Sequence, residues 1–187
     1  MLVVGTLTSL VSSIFGSLAP YHLLFYSTLL GTELFQTFVN TKVCFIALPR
    51  SAFTTLQKRI FPIYFWTQTT LLVLSAITVP PYGVSSLIRH KGDWIPYAVA
   101  TGTALLNLGV YGPRTQRAMV DCVHQETRDK LREQGTRVSN EPSPDMKRLR
   151  KVFSRTHAMS IHLNLVSIGA MVFYGWRLAS KLTVDAE

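Results

Sequence analysis

The sequence predicts an all-α integral membrane protein. It is a four-helix bundle of spans, with an extra N-terminal apolar helix and a charged helical hairpin between spans three and four. Three observations predict this. Apolar residues, 48 % of the 187, fall in clustered runs long enough to cross a hydrocarbon core of about 30 Å, not in the patterns of a soluble chain. Prolines, aromatic residues and Lys or Arg stand at the ends of these runs, as at a membrane boundary. One carboxylate, Glu33, sits inside a run. A charge at that depth costs roughly 2.5–3.5 kcal/mol on insertion scales, so such a group faces protein or water.

Residues 1–19 are apolar with small polar residues. Ser17-Leu18-Ala19 resembles a signal-peptidase site, but no Lys or Arg precedes the run and Pro20 would follow the cut. The segment is expected to be a surface-lying or partly inserted helix, ahead of a four-span domain over 20–182.

The first span, about 21–46, begins at Pro20, a good first-turn residue, and stops before Leu48-Pro49-Arg50. Lys42 can snorkel to the interface. Glu33, Gln36 and Asn40 stand at i, i+3 and i+7 and so share one face. Residues 50–60 read as a short amphipathic connector, with Phe53, Leu56 and Ile60 on one side. The second span, 61–79, has an aromatic entry (Phe61, Tyr64, Phe65, Trp66), carries Gln68 and ends at Pro80-Pro81.

The third span, 94–111, is uncharged. Ala98 and Gly102 form a small-xxx-small pair that permits close helix contact, and Asn107 is its strong polar group. Gly112-Pro113 is expected to break or bend the chain. The charged region 113–155 then folds as a hairpin. Its first helix has Glu126 and Lys130 in the favourable i,i+4 order. A turn-rich loop covers 135–142, and Ser143-Pro144 caps the second helix. That helix carries Lys147, Arg148, Arg150, Lys151 and Arg155 and runs on into the fourth span, 156–176, closed by Arg177 and Lys181.

The formal net charge is +9. Four spans place Arg89, Lys91, Arg177 and Lys181 on one side and the other 15 of the 19 basic residues on the opposite side. The positive-inside rule therefore puts the hairpin in the cytoplasm, an inference that weakens for a mitochondrial outer-membrane protein. The basic residues flank spans and form no nucleic-acid signature. The Lys147–Arg155 cluster abuts a span, which suits anionic lipid headgroups at about 1 kcal/mol per contact. The same cluster also reads as a topology signal with no ligand.

The candidate chemistry is an intramembrane polar seam: Glu33, Gln36 and Asn40 on span one, Asn107 on span three, and His157, Ser160 and Asn164 on span four. One reading makes the seam a permeation path with Glu33 as a proton or cation site. The other makes it interhelical glue, each bond worth about 0.6 kcal/mol. Met119, Cys122 and His124 crowd one stretch, but their spacing matches no metal motif. Cys44 and Cys122 imply no disulfide framework. The nucleotide-binding, zinc-hydrolase and serine-hydrolase signatures are absent, and His90-Lys91-Gly92-Asp93 gives only an HxxD in a loop. No catalytic residue, metal or cofactor is expected.

The chain also resembles the transmembrane protein 205-like family. The resemblance rests on His22-Leu23-Leu24, Gly31 and Gln36-x-Phe38-Val39; on Leu48-Pro49-Arg50, Phe53, Leu56-Gln57 and Phe61-Pro62-x-Tyr64-Phe65; on Asn107, Gly112-Pro113, Thr115 and Met119; and on Phe153, His157, Ser160 and Leu163-Asn164-Leu165. It covers His22 to about Trp176, leaving the segment before Pro20 outside. The resemblance implies a small four-helix membrane protein without established catalytic residues. It further implies links to platinum-drug tolerance in animals and, in fungi, to mitochondrial membranes and phospholipid balance. The expected role is non-enzymatic, in membrane or phospholipid homeostasis or in membrane interactions. The alternative is a small transporter for a cation or solute. The expected partners are membrane lipids and a second copy of the chain, and the expected location is the mitochondrial outer membrane or the endoplasmic reticulum.

Overall fold

The computed structural model describes residues 16–133 and 141–181. Most of the N-terminal apolar segment and of the hairpin loop lies outside the described residues. Every regular element among them is helical. Helix α1 (Ala19–Leu34) passes through a π-helical segment, Phe35–Asn40, into α2 (Thr41–Ala47). Helix α3 is Arg50–Ile77, α4 the short Val84–Ile88, and α5 Lys91–Leu106. A second π segment, Asn107–Tyr111, joins α5 to α6 (Gly112–Glu133), and α7 is Pro144–Ala179. Helices α3 and α7, of 28 and 36 residues, are long and apolar enough to cross a membrane.

Local chemistry explains most boundaries. Pro20 opens α1 in its first turn, where its missing N–H has no helical partner to lose. The Ser143 hydroxyl accepts the Met146 N–H at 3.1 Å and caps α7, as its sequence signature requires. Glu126 pairs with Lys130 at 3.2 Å along α6.

Three boundaries differ from the sequence expectation. The connector 50–60 and the second span form one helix, α3, with Pro62 inside it. Proline there removes the bond to the Lys58 carbonyl. The Gln116 amide of α6 donates to that carbonyl at 2.5 Å, so the helix continues. Nor does the chain break at Gly112-Pro113. The π turn, closed by the Gly112 N–H on the Asn107 carbonyl, carries the helix past the proline. Finally, Ala98 and Gly102 are exposed. The small pair that meets another helix is Ala100 and Ala104, both buried in the shared core.

Helix α1 runs antiparallel to the final part of α3 and to the second half of α7, and their buried faces meet in layers. Leu29, Leu72 and Met171 form an apolar layer, each almost wholly buried. Polar layers lie above and below it. The outside is the reverse: Ile46 is 74 % exposed, Phe45 68 % and Trp176 79 %. Large apolar groups outside, with Glu33, Gln68, Asn107 and Ser167 buried among the apolar core, depart from the soluble pattern.

Candidate functional site

Glu33 has no accessible surface. It projects from the last turn of α1 onto α3 and α7. Its Oε1 accepts a hydrogen bond from Gln68 Nε2 at 2.7 Å and one from Ser167 Oγ at 2.9 Å. Its Oε2 has no partner among the described residues. Gln68 Nε2 also lies 3.1 Å from Ser167 Oγ, and Gln68 Oε1 is unpaired. One turn nearer the hairpin, Asn164 Oδ1 accepts the Tyr64 hydroxyl at 2.7 Å, and its Nδ2 donates to Thr37 Oγ1 at 2.8 Å. Asn107 Nδ2 donates to the Ser160 carbonyl at 3.0 Å, while Asn107 Oδ1 is buried and unpaired.

The structure thus brings Glu33 and Asn164 together and sets Asn107 against Ser160, one turn before Asn164. It separates the others. Gln36 and Asn40 bond each other at 2.7 Å, and Thr41 and Cys44 complete a chain along their own helix. Gln36 stays buried and Asn40 half-buried on the side that Glu33 begins, but neither bonds Glu33. His157 is half-buried and stacks on Phe153 with ring centroids 5.3 Å apart, away from the seam.

Sequence reasoning missed the partners that complete the cluster. Gln68 was visible as a polar residue in an apolar run. Ser167, Tyr64 and Thr37 carried no signal, because a hydroxyl in a membrane helix commonly bonds its own backbone.

A second polar layer lies beyond the apolar one. His22 Nδ1 meets the Ser75 carbonyl at 2.9 Å, and its Nε2 meets the Tyr174 hydroxyl at 2.8 Å. Tyr26 donates to the Met171 carbonyl at 2.9 Å. At the same end, buried Asp93 accepts from Arg177 Nε at 2.9 Å and Lys181 Nζ at 2.6 Å. Burial pushes the Asp93 carboxyl up, but the hydrogen bonds and charges of Lys181 and Arg177 outweigh it and hold it below the usual carboxylate range. The aspartate of the HxxD is therefore an ion-paired tie between α5 and the end of α7.

The five cations chosen as lipid contacts, Lys147, Arg148, Arg150, Lys151 and Arg155, are all exposed on α7. Lys147 pairs with exposed Glu141 at 2.9 Å. Among the described residues no cluster of three or more metal-binding side chains occurs. Met119 and Cys122 are half-buried and His124 is exposed. Burial pushes the Cys122 thiol up, further from the reactive thiolate.

These features define a chain whose described residues are helical in every regular element, with polar side chains buried among apolar ones, large apolar groups exposed and two helices able to cross a membrane. It belongs to the family described as Domain of unknown function (DUF4149), which matches residues 24–124. That region holds Glu33, Gln68 and Asn107 but not α7. An Aspergillus fumigatus protein named Xanthocillin biosynthesis cluster protein D is 43 % identical over 166 residues, 89 % of this chain and 92 % of that protein. No solved structure matches the chain.

Proposed function

We propose that the chain is a four-span, non-enzymatic integral membrane protein that acts at the lipid headgroup layer, in membrane or phospholipid homeostasis. The observation that carries this reading is the α7 surface. Lys147, Arg148, Arg150, Lys151 and Arg155 are all exposed on a helix that continues without a break into a membrane-length apolar stretch. Such a helix holds its cations at headgroup depth, where each contact with an anionic lipid is worth about 1 kcal/mol.

Two further observations support four spans. The exteriors of α1–α2 and α5 also carry large apolar residues, among them Leu24, Phe35, Phe45 and Ile95. Tyr82, Trp94 and Trp176 mark one end of the bundle, as aromatic residues mark a membrane boundary. The resemblance to the transmembrane protein 205-like family supports the same arrangement and favours the mitochondrial outer membrane or the endoplasmic reticulum.

The transport reading is second. An unpaired carboxylate oxygen at Glu33 favours it. The layer of Leu29, Leu72 and Met171 argues against it, because no polar route crosses that layer. The relative's place in a biosynthesis cluster fits a membrane role beside an enzyme pathway under either reading.

The test is lipid selection. The protein is purified into nanodiscs of mixed neutral and anionic phospholipid, and the bound lipid is measured by native mass spectrometry. The proposal predicts enrichment of anionic lipid that is lost when Lys147, Arg148, Arg150 and Lys151 are all changed to Ala. Equal lipid ratios for the two proteins would overturn it.

A further inference from the structure

Among the described residues, the buried side-chain atoms without hydrogen-bond partners are not scattered. Six of them, on five residues, lie on the hairpin side of the apolar layer: both side-chain polar atoms of Gln57, Thr115 Oγ1, Asn107 Oδ1, Gln68 Oε1 and Glu33 Oε2. The one other, the Tyr97 hydroxyl, lies beyond that layer, beside Tyr174.

Cross-helix bonds fix the order of these groups. The Gln116–Lys58 bond sets Thr115 and Gln57 at one height near the hairpin. The Asn107–Ser160 bond lies deeper. The Tyr64–Asn164 bond comes next, and the Glu33–Gln68–Ser167 cluster after it. Gln57 stands three turns before Gln68 on α3, so the file is roughly 16 Å long at 1.5 Å per residue. Leu29, Leu72 and Met171 close its inner end.

Most of these atoms are acceptors. Buried acceptors are normally paired, and where protein supplies no donor, water does. The file also ends on a carboxylate without a counter-cation. Facing Glu33 are Gln68 on α3 and Ser167 on α7, with Asn164 and Tyr64 in the next layer. Tyr26 and Tyr64 are the titratable groups in the adjoining layers, and among the described residues no Lys, Arg or His side chain pairs with Glu33.

We propose that Glu33 is a proton-binding site reached by water from the hairpin end alone, through the file of Gln57, Thr115 and Asn107, and sealed from the opposite face by Leu29, Leu72 and Met171. A proton enters along the file, resides on Glu33 and leaves by the same route. The site therefore reports acidity on one side of the membrane and conducts nothing across it. This inference goes beyond headgroup binding but rests on the four-span arrangement.

The test uses the full chain with Cys44 and Cys122 changed to Ser, in proteoliposomes sorted to one orientation. Glu33→Cys is exposed to Ag+, a small thiol-specific cation, added from either side. The protein is then denatured and its unblocked thiol counted with a maleimide. The expected result is block from the hairpin side and none from the other. Asn107→Cys should behave the same way, and Leu29→Cys should stay unblocked from both sides. Block from both faces, from the opposite face alone, or from neither overturns the proposal. If Glu33→Cys does not yield monodisperse protein, Ser167→Cys takes its place with the same expectation. Thr127→Cys on the hairpin, probed with an impermeant maleimide, checks the arrangement separately. Labelling of Thr127→Cys from both sides of sorted vesicles would overturn the four-span reading and the inference together. Labelling from one side, with position 33 unblocked, would overturn the inference alone.

Discussion

The Tyr26 phenol occupies the space where Gly175 would otherwise carry a side chain. Its hydroxyl donates to the Met171 carbonyl one turn away, at 2.9 Å. A methyl group at position 175 would overlap the Tyr26 oxygen. The glycine is thus a steric requirement of the bond that ties α1 to α7, and not a point of flexibility.

Gly175→Ala should lower the thermal midpoint of the detergent-solubilised protein, because the ring must leave and its hydroxyl loses a buried partner, a loss of about 1–3 kcal/mol. Tyr26→Phe in the same chain should recover part of the loss. Strictly additive single and double variants would contradict the contact.

Gln116→Ala should destabilise by about 1 kcal/mol, since it leaves the Lys58 carbonyl without a donor. Pro62→Ala restores an N–H to that carbonyl and should cancel most of the effect. Chemical unfolding of the four proteins measures this. If Gln116→Ala costs the same with either residue at position 62, the explanation of the unbroken α3 fails.

Gln68→Leu should destabilise more than Gln68→Asn, because it removes a donor to Glu33 and buries the carboxylate with Ser167 alone. The expected cost is about 1–3 kcal/mol, and Glu33→Leu in the same chain should reduce it. No coupling between the two positions would show that the side chains do not meet.

Asp93 sets an acid dependence. Its carboxyl is held below its ordinary 3.8 by Lys181 and Arg177, against its own burial. A depressed carboxylate adds stability that is full above its unfolded value and is lost as pH falls through the lower folded value. Asp93→Asn should therefore lower the melting temperature at neutral pH, and the gap to the parent should close in acid below 3.8. A gap that persists there would mean that the tie to α7 is not ionic.

Much of the architecture was legible in the sequence. Clustered apolar runs, Pro20 and the Ser143-Pro144 cap marked helices where helices stand. The uninterrupted run of α7 from its basic turns into its apolar ones was visible as well. What was not legible followed from contacts between distant residues. The continuity of α3 through Pro62 was invisible because the group that rescues the helix, Gln116, comes from another element. The hydrogen-bond partners of the seam residues were hidden for the same kind of reason. Glu33 stood out by the cost of a carboxylate in an apolar run, but its bonds to Gln68 and Ser167 come from α3 and α7. The Ala98–Gly102 pair failed because two small pairs overlap in α5, and only packing decides that Ala100–Ala104 meets the core.

The Glu33 carboxyl has no accessible surface and is enclosed by α3 and α7, away from lipid. Solid-state NMR of the labelled protein in bilayers tests it most directly. The expected result is a through-space contact between the Glu33 carboxyl carbon and the Gln68 side-chain nitrogen, as the 2.7 Å hydrogen bond requires, and no contact with lipid acyl protons. Strong acyl-chain contacts at Glu33, with no signal to Gln68, would contradict it.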